Sequence, residues 1–113
     1  MHQSEVWLAI FEPTIGAEIG KTRPAVIVSS ERIGILPLAV IVPITNWQER
    51  YEARNWMVRI EPTTENGLRK VSAADTFQVR SVSTQRLIRK LGILPDATMQ
   101  DIAVALSVVL NLD

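Results

Sequence analysis

The chain has 113 residues, no cysteine, and 12 basic and 12 acidic side chains, so its formal net charge is zero. This length predicts one domain, residues 1–113, that buries roughly 65% of its unfolded surface without covalent cross-links. The absence of cysteine excludes a disulfide scaffold, a thiol nucleophile and a cysteine zinc site. One histidine, His2 near the N-terminus, excludes mechanisms that need a histidine pair. The balanced charge argues against binding driven by overall basicity but is compatible with a local basic face.

The apolar segments are too short to cross a membrane. The longest run, residues 35–44, is interrupted by Pro37 and Pro43, whereas a spanning helix needs about 20 apolar residues. The first residues lack a positively charged region, so no signal peptide is expected. We therefore expect a cytoplasmic protein without membrane contact, and the lack of cysteine agrees with a reducing compartment.

In chain order, the sequence predicts strands first and helices last. Five strands are predicted at residues 6–11, 25–28, 38–44, 55–60 and 71–80. The first three are apolar throughout, which is typical of strands buried on both faces, whereas the last two alternate. Helices are predicted over 84–91, where Arg86, Arg89 and Lys90 form a solvated face, and over 96–110, where apolar residues follow helical spacing. This order favours a segregated α+β domain or a small, strongly bent barrel with attached helices.

Three charged loops, residues 12–23, 46–54 and 61–69, are the expected carriers of function. In the first, Arg23 precedes Pro24 at the start of a buried strand, where its guanidinium can act as a rigid fork for phosphate or carboxylate. The alternative is a structural ion pair of Arg23 with Glu12 or Glu18. The residue types present do not decide between the two.

Polar residues at the end of the most apolar strand are a second candidate. Thr45 and Asn46 follow the apolar run 38–44, and a hydroxyl there can donate to a ligand oxygen. The alternative is a simple Ser/Thr turn where the strand stops.

An acidic residue breaks the apolar side of the fifth predicted strand. Asp75 lies between Ala73 and Phe77, so it is paired, lines a pocket or is displaced by a bulge. Arg80 is its expected partner.

Aromatic side chains could stack on nucleobases. The candidates are Trp7, Trp47, Trp56 and Phe77. Tryptophans on strands usually lie in the core, so Trp47, in a polar loop, is the best surface candidate.

Several segments together resemble the MazF/PemK toxin family over nearly the whole chain. They are EVWL at 5–8, FEPTIGAE at 11–18, GKTRPAVIVS at 20–29, VPIT at 42–45, FQVRSV at 77–82, RL at 86–87 and LG at 91–92. The block Lys-Thr-Arg-Pro with its flanks is the most specific of them, and FQVRSV resembles the family's Q-x-R-T/S segment.

The resemblance implies a small SH3-like, CcdB/PemK-like barrel of about five to seven strands with a C-terminal helix, forming a homodimer. It implies a toxin of a toxin–antitoxin pair that cleaves single-stranded RNA without a metal ion or other cofactor. The products would carry 2′,3′-cyclic phosphate and 5′-hydroxyl ends. The implied partners are single-stranded RNA and a cognate antitoxin, whose disordered acidic segment could fold along the same groove.

Carried over to this sequence, the resemblance makes Arg23 and Thr45 the main catalytic residues, with Asp75 and Arg80 as catalytic or pocket candidates. We assign RNA contacts to Glu18, Lys21, Thr22, Asn46, Trp47 and Gln78. An arginine fork and a hydroxyl can stabilise charge on a phosphate without a metal.

Two departures from the family leave the general base open. Ala17 stands where some members have histidine, and Phe77 where some have aspartate. The nearest carboxylate, Asp75, is about 6.6 Å away along the same face of a strand, so it can substitute only if the strand bulges or the substrate shifts.

Two other interpretations compete with a nuclease. A CcdB-like toxin would poison DNA gyrase without catalysis, but the Lys-Thr-Arg-Pro block argues against it. A pure interaction module predicts that Arg23 and Thr45 lie more than about 10 Å apart.

Overall fold

The structure is a computed structural model that describes residues 1–33 and 35–112. Its strands are β1 (Glu5–Ile10), β2 (Thr22–Ile27), β3 (Leu38–Asn46), β4 (Met57–Ile60), β5 (Ser72–Asp75), β6 (Arg80–Ser83) and β7 (Leu87–Ile93), followed by the helix α1 (Asp96–Leu110). Short 3₁₀ turns occupy Glu31–Ile33, Glu49–Ala53, Thr76–Gln78 and Thr84–Arg86. The expectation of a mainly β fold with a C-terminal helix is confirmed.

The strands form one antiparallel sheet in the order β4-β5-β3-β2-β1-β7, with β6 also paired to β3. The nine-residue strand β3 is shared: its residues 38–41 pair with β6, 41–43 with β2, and 44–46 with β5. Because one strand has three partners along its length, the sheet bends around it, as the predicted barrel requires.

Strand alternation divides the core between the two faces of the sheet. Val6, Val26, Val42 and Ile44 point to one face, where Ile102 and Ala105 of α1 cover them. The other face carries a second core of Ala9, Phe11, Ala25, Ile27, Ala39, Ile41, Val82 and Leu87. By the same alternation, Arg23 and Thr45 belong to the face of the second core, at its edge.

The predicted helix over 84–91 is wrong. Thr84–Arg86 is a 3₁₀ turn and β7 follows, pairing with β1 from Ala9 to Glu5 with two register irregularities. Pairing with the otherwise open edge of β1 outweighs the weak local helical preference. A Cβ on Gly92 would clash with the Glu65 carbonyl oxygen, so this glycine allows β7 to pass against the neighbouring loop.

The predicted strand 71–80 is interrupted by the turn Thr76–Gln78. Both flanking strands, β5 and β6, pair with β3, so the three-residue turn is an insertion in one long edge. The bulge anticipated as one alternative for Asp75 is therefore present. It also corrects the expected shared face of Asp75 and Phe77, because Phe77 is 67% exposed whereas Asp75 is buried.

The helix α1 begins after Pro95, as predicted, but without a capping hydrogen bond from the Asp96 side chain. Ile102 and Ala105 are buried, whereas Val104, Val108 and Leu110 remain exposed. The helix therefore carries a second apolar surface that the described part of this chain leaves uncovered. Among the described residues, no helix has the length and hydrophobicity needed to cross a membrane.

The buried carboxylate of Glu5 stabilises the contact between β1 and β7. Burial raises its pKa, but hydrogen bonds from the His2 backbone N–H (3.0 Å) and the Trp7 indole (2.9 Å) outweigh this effect, together with an ion pair to Lys90 (3.2 Å). The net result is a pKa lowered from 4.5 to about 2.

A carboxylate whose folded pKa lies below its unfolded pKa stabilises the protein above the unfolded value and loses this effect as the pH falls. We expect the free energy of unfolding to drop between pH 4.5 and about 2. Glu5→Gln should make this drop in the free energy of unfolding smaller by about 1–2 kcal/mol. The effect is limited because the half-exposed Lys90 partner is screened by water. Urea denaturation across this range would measure it, with the exposed Glu52→Gln as control. If the free energy of unfolding of Glu5→Gln fell with pH as steeply as that of the wild type, Glu5 would not be the group responsible.

Candidate active site

The loop between β1 and β2 is closed by its own acidic side chains. Glu12 Oε1 accepts a hydrogen bond from the Lys21 backbone N–H at 2.7 Å, and Glu18 Oε1 accepts one from the Ile15 N–H at 2.7 Å. Among the described residues, neither carboxylate forms an ion pair with Arg23. The alternative that Arg23 serves a structural ion pair with Glu12 or Glu18 is therefore wrong.

Arg86 fixes the first residues of this loop. Its Nη1 donates to the carbonyl oxygens of Ile10 at 3.0 Å and Glu12 at 2.8 Å. Together with the Lys90–Glu5 ion pair, this corrects the expectation of a solvated basic helix face at Arg86, Arg89 and Lys90. These two cations support β1 and the loop that follows it.

Arg23 and Thr45 are in direct contact. Because Ala25 pairs with Pro43, the register of β2 and β3 places Arg23 opposite Thr45. Arg23 Nη1 donates to Thr45 Oγ1 at 3.5 Å, and Arg23 Nε donates to the Gly20 carbonyl oxygen at 3.0 Å. This contact is the opposite of what a pure interaction module requires.

The contacts of Arg23 leave reactive groups free. A guanidinium has five N–H donors and the two bonds use two of them. Thr45 Oγ1 acts as an acceptor toward Arg23, so its own proton remains available to a ligand. The pair can therefore present several donors to an oxyanion at once.

A chain of hydrogen bonds connects Asp75 to the loop that holds Arg23. Asp75 Oδ2 accepts from Gln78 Nε2 at 3.1 Å, and Gln78 Oε1 accepts from the Ile19 backbone N–H at 2.6 Å. The amide orientation of Gln78 is fixed, because a carboxylate can only accept and a backbone N–H can only donate. Ile19 precedes Gly20, whose carbonyl oxygen binds Arg23.

Asp75 is buried, and its other oxygen accepts from the Phe77 N–H at 3.2 Å. Burial raises the pKa of Asp75, while the hydrogen bonds from Phe77 and Gln78 and the positive charge of Arg54 oppose the increase. The expected pairing of Asp75 with Arg80 is wrong, since no ion pair joins them in the described part of the chain.

An open cleft of about 620 Å³ lies beside these contacts. It is lined by Phe11, Ala17, Glu18, Ile19, Pro43, Phe77, Gln78, Val79 and Arg80. Arg23 and Thr45 border it rather than line it: Pro43 precedes Thr45 by two residues on the same strand face, and Ile19 adjoins Gly20. The cleft therefore continues the Arg23–Thr45 surface toward Arg80.

The other residues with predicted RNA contacts do not all lie at the cleft. Lys21 and Thr22 are exposed beside Arg23. Asn46 lines a second groove of about 360 Å³, together with Pro24, Arg69, Lys70, Ser72 and Arg89. Strand alternation turns Asn46 away from Thr45, so the structure does not bring these neighbours to one site.

Trp47 is half-buried and packs edge-on against Tyr51, with 5.8 Å between ring centroids. Arg59 lies over the Trp47 ring at 5.3 Å. Sequence reasoning missed Tyr51, although the alternation of arginine and aromatic residues over 50–59 was a usable signal. It also missed the backbone of Ile19 and Gly20, for which side-chain patterns give no signal.

The described residues contain no group of three or more histidine or acidic side chains arranged to hold a metal ion. An arginine fork beside a free hydroxyl, at an open cleft of a bent antiparallel sheet, can bind an oxyanion such as a phosphate or a carboxylate.

Comparison with known proteins identifies the family. The model of the PemK-like, MazF-like toxins of type II toxin–antitoxin systems matches residues 2–110, and the chain belongs to this family. It is 31% identical over 119 residues to endoribonuclease MazF9 of Mycobacterium tuberculosis, covering 99% of this chain and 98% of that protein. It is 27% identical to endoribonuclease PemK of Escherichia coli, covering 98% and 83%.

Solved structures confirm the fold. A MazF from Deinococcus radiodurans superposes with a TM-score of 0.80 at 20% identity, covering 98% of this chain and 96% of that one. A mycobacterial endoribonuclease in complex with its cognate antitoxin gives 0.78 at 20% identity, covering 100% and 97%. The prediction of a MazF/PemK-like barrel is therefore confirmed.

Proposed function

We propose that this protein is a toxin endoribonuclease that cleaves single-stranded RNA at short sequences without a metal ion and is neutralised by a cognate antitoxin. The observation that carries the proposal is the 3.5 Å contact between Arg23 Nη1 and Thr45 Oγ1 beside an open cleft. The endoribonuclease names of its relatives support it. The toxin acts as a single domain, residues 1–113, in the cytoplasm.

The reaction is an internal transesterification. The RNA 2′-hydroxyl loses its proton and its oxygen bonds to the adjacent phosphorus, while the bond from phosphorus to the 5′-oxygen breaks. The leaving 5′-oxygen takes up a proton, so the products are a 2′,3′-cyclic phosphate and a 5′-hydroxyl. The free N–H groups of Arg23 stabilise the charge that grows on the phosphoryl oxygens, and Thr45 donates its hydroxyl proton to one of them.

Asp75 acts as a positioning residue in this scheme. Both of its oxygens accept hydrogen bonds, from Phe77 N and Gln78 Nε2, and its side chain is buried, so it cannot reach a substrate hydroxyl. It acts through Gln78 on the backbone of Ile19 and Gly20. Glu18 is the acidic residue among those that line the cleft.

The RNA contacts follow the same surface. Glu18, Gln78 and Arg80 line the cleft, and the exposed Lys21 and Thr22 flank Arg23. Trp47 offers a partly exposed ring beyond the end of β3. Asn46 contacts the RNA only if the RNA chain extends into the second groove, which Asn46 lines.

The partners are an antitoxin and a second copy of the chain. A relative of the same fold has been solved in complex with its cognate antitoxin. A disordered acidic segment of such a partner would compete with RNA for the surface that carries Lys21, Arg23 and Arg80. The exposed Val104, Val108 and Leu110 of α1 give an apolar surface suited to a homodimer interface.

The test is digestion of a long single-stranded RNA in EDTA with mapped ends. We expect cuts at one recurring short motif with 2′,3′-cyclic phosphate ends. The exposed Arg32→Ala variant, changed beyond the opposite end of β2, serves as the positive control. Intact RNA in the presence of folded protein would contradict the proposal. Inhibition of gyrase supercoiling, measured separately with Mg²⁺ and ATP and without EDTA, would then revive the CcdB-like alternative, which the family match does not favour.

A further inference from the structure

An aromatic side chain stands exposed at the rim of the cleft. Phe77 lies in the turn Thr76–Gln78, lines the cleft and is 67% exposed. The turn is held in place by the Asp75 carboxylate, which accepts from the Phe77 backbone N–H at 3.2 Å. The ring is therefore presented by a fixed backbone, although exposing it to water is unfavourable.

The neighbours of Phe77 extend it into a platform. Trp56 meets Phe77 edge-on, with 5.8 Å between centroids and 72° between planes. The Arg54 guanidinium lies 5.8 Å from the centroid of Trp56 and 5.3 Å from that of Tyr51. A single edge-to-face contact covers at most one face of the Phe77 ring, whose side chain is 67% exposed, and Arg54 adds a cation nearby.

We propose that Phe77, Trp56 and Arg54 form a stacking subsite for one unpaired nucleobase of single-stranded RNA. The inference rests on the proposed function and adds to it a binding site for a base that flanks the cleaved phosphate. A nucleobase fits because it has a flat apolar face for Phe77 and belongs to a chain whose phosphates attract Arg54 and Arg80. An aliphatic peptide side chain would not need a ring there.

The subsite predicts a dependence on the aromatic ring. Phe77→Ala should weaken binding of a single-stranded RNA roughly tenfold, in line with alanine substitutions at stacked aromatic residues. Phe77→Trp should bind like the wild type, whereas Phe77→Leu, similar in bulk but without a ring, should bind like Phe77→Ala. Ile88→Ala removes an exposed apolar side chain on β7 and serves as the matched control.

The base that stacks can be located by fluorescence anisotropy. The probe is a short RNA with a single 2′-deoxy nucleotide at the mapped cleavage position, which prevents cleavage, and with one abasic nucleotide moved along the chain. We expect one abasic position to cost the wild type roughly tenfold in affinity and to cost Phe77→Ala nothing further.

Two results would overturn the inference. One is equal affinity of Phe77→Ala and the wild type; the other is full affinity of Phe77→Leu, which would show a general apolar contact. Failure of the proposed function is recognised separately, because the wild type would then leave ordinary RNA intact, and the same binding series could be run with that unmodified RNA. Absence of any RNA binding by the wild type also overturns the inference.

Discussion

Arg23→Ala should lower the rate of RNA cleavage by about 1,000-fold or more while the protein remains folded. Removal of a single oxyanion donor typically costs about 100- to 1,000-fold, and Arg23 supplies several donors together with its charge. The effect should appear mainly in kcat, because charge on the phosphoryl oxygens is greatest in the transition state. Single-turnover cleavage of a short RNA containing the mapped motif would measure it.

Arg23→Lys separates charge from geometry. Lysine keeps the positive charge but cannot bond to Gly20 O and Thr45 Oγ1 while also forming a fork on a phosphate, so we expect it to recover only a small part of the rate. Arg32→Ala removes an exposed arginine elsewhere and should cleave like the wild type. The catalytic role of Arg23 is contradicted if Arg23→Ala cleaves normally, or if its loss of activity only follows loss of structure in thermal unfolding.

The contact on which this prediction depends could be predicted from the sequence only in part. The position of Arg23 before Pro24, at the start of a buried strand, indicates an anchored guanidinium, and Thr45 stands at the end of another apolar strand. That they meet follows from the pairing of Ala25 with Pro43. Register is a property of two strands, so no local pattern in either contains it.

The two wrong predictions of secondary structure, the unbroken strand 71–80 and the helix 84–91, have the same origin. The alternation over 71–80 continues on both sides of the turn Thr76–Gln78, so the pattern does not show an insertion that exists only because both halves pair with β3. The segment 84–91 has a weak helical pattern, which its pairing with β1 overrides. In both places a non-local partner decides the local conformation.

The second large effect concerns the polarity of the Asp75–Gln78–Ile19 chain. Asp75→Asn turns an amide NH₂ toward the Gln78 NH₂, since its oxygen remains with the Phe77 N–H. Gln78→Glu instead brings two carboxylates together at a contact of 3.1 Å in the native chain, where like charges repel. We expect each single variant to lower kcat/KM by about 100-fold, because the backbone that holds Arg23 shifts.

The double variant Asp75→Asn, Gln78→Glu restores every donor and acceptor. The amide introduced at position 75 can donate to one oxygen of the carboxylate introduced at position 78, while the other oxygen accepts from the Ile19 N–H, and the total charge equals that of the native pair. The double variant should therefore cleave RNA within about tenfold of the wild type. If the Asp75 charge and the Gln78 amide acted independently, the two losses would add and no rescue would be seen. If Asp75 were the general base, the double variant would be as inactive as Asp75→Asn, because an asparagine cannot take up the proton. Rescue thus assigns Asp75 to positioning, and failure of a folded double variant to cleave would return it to proton transfer.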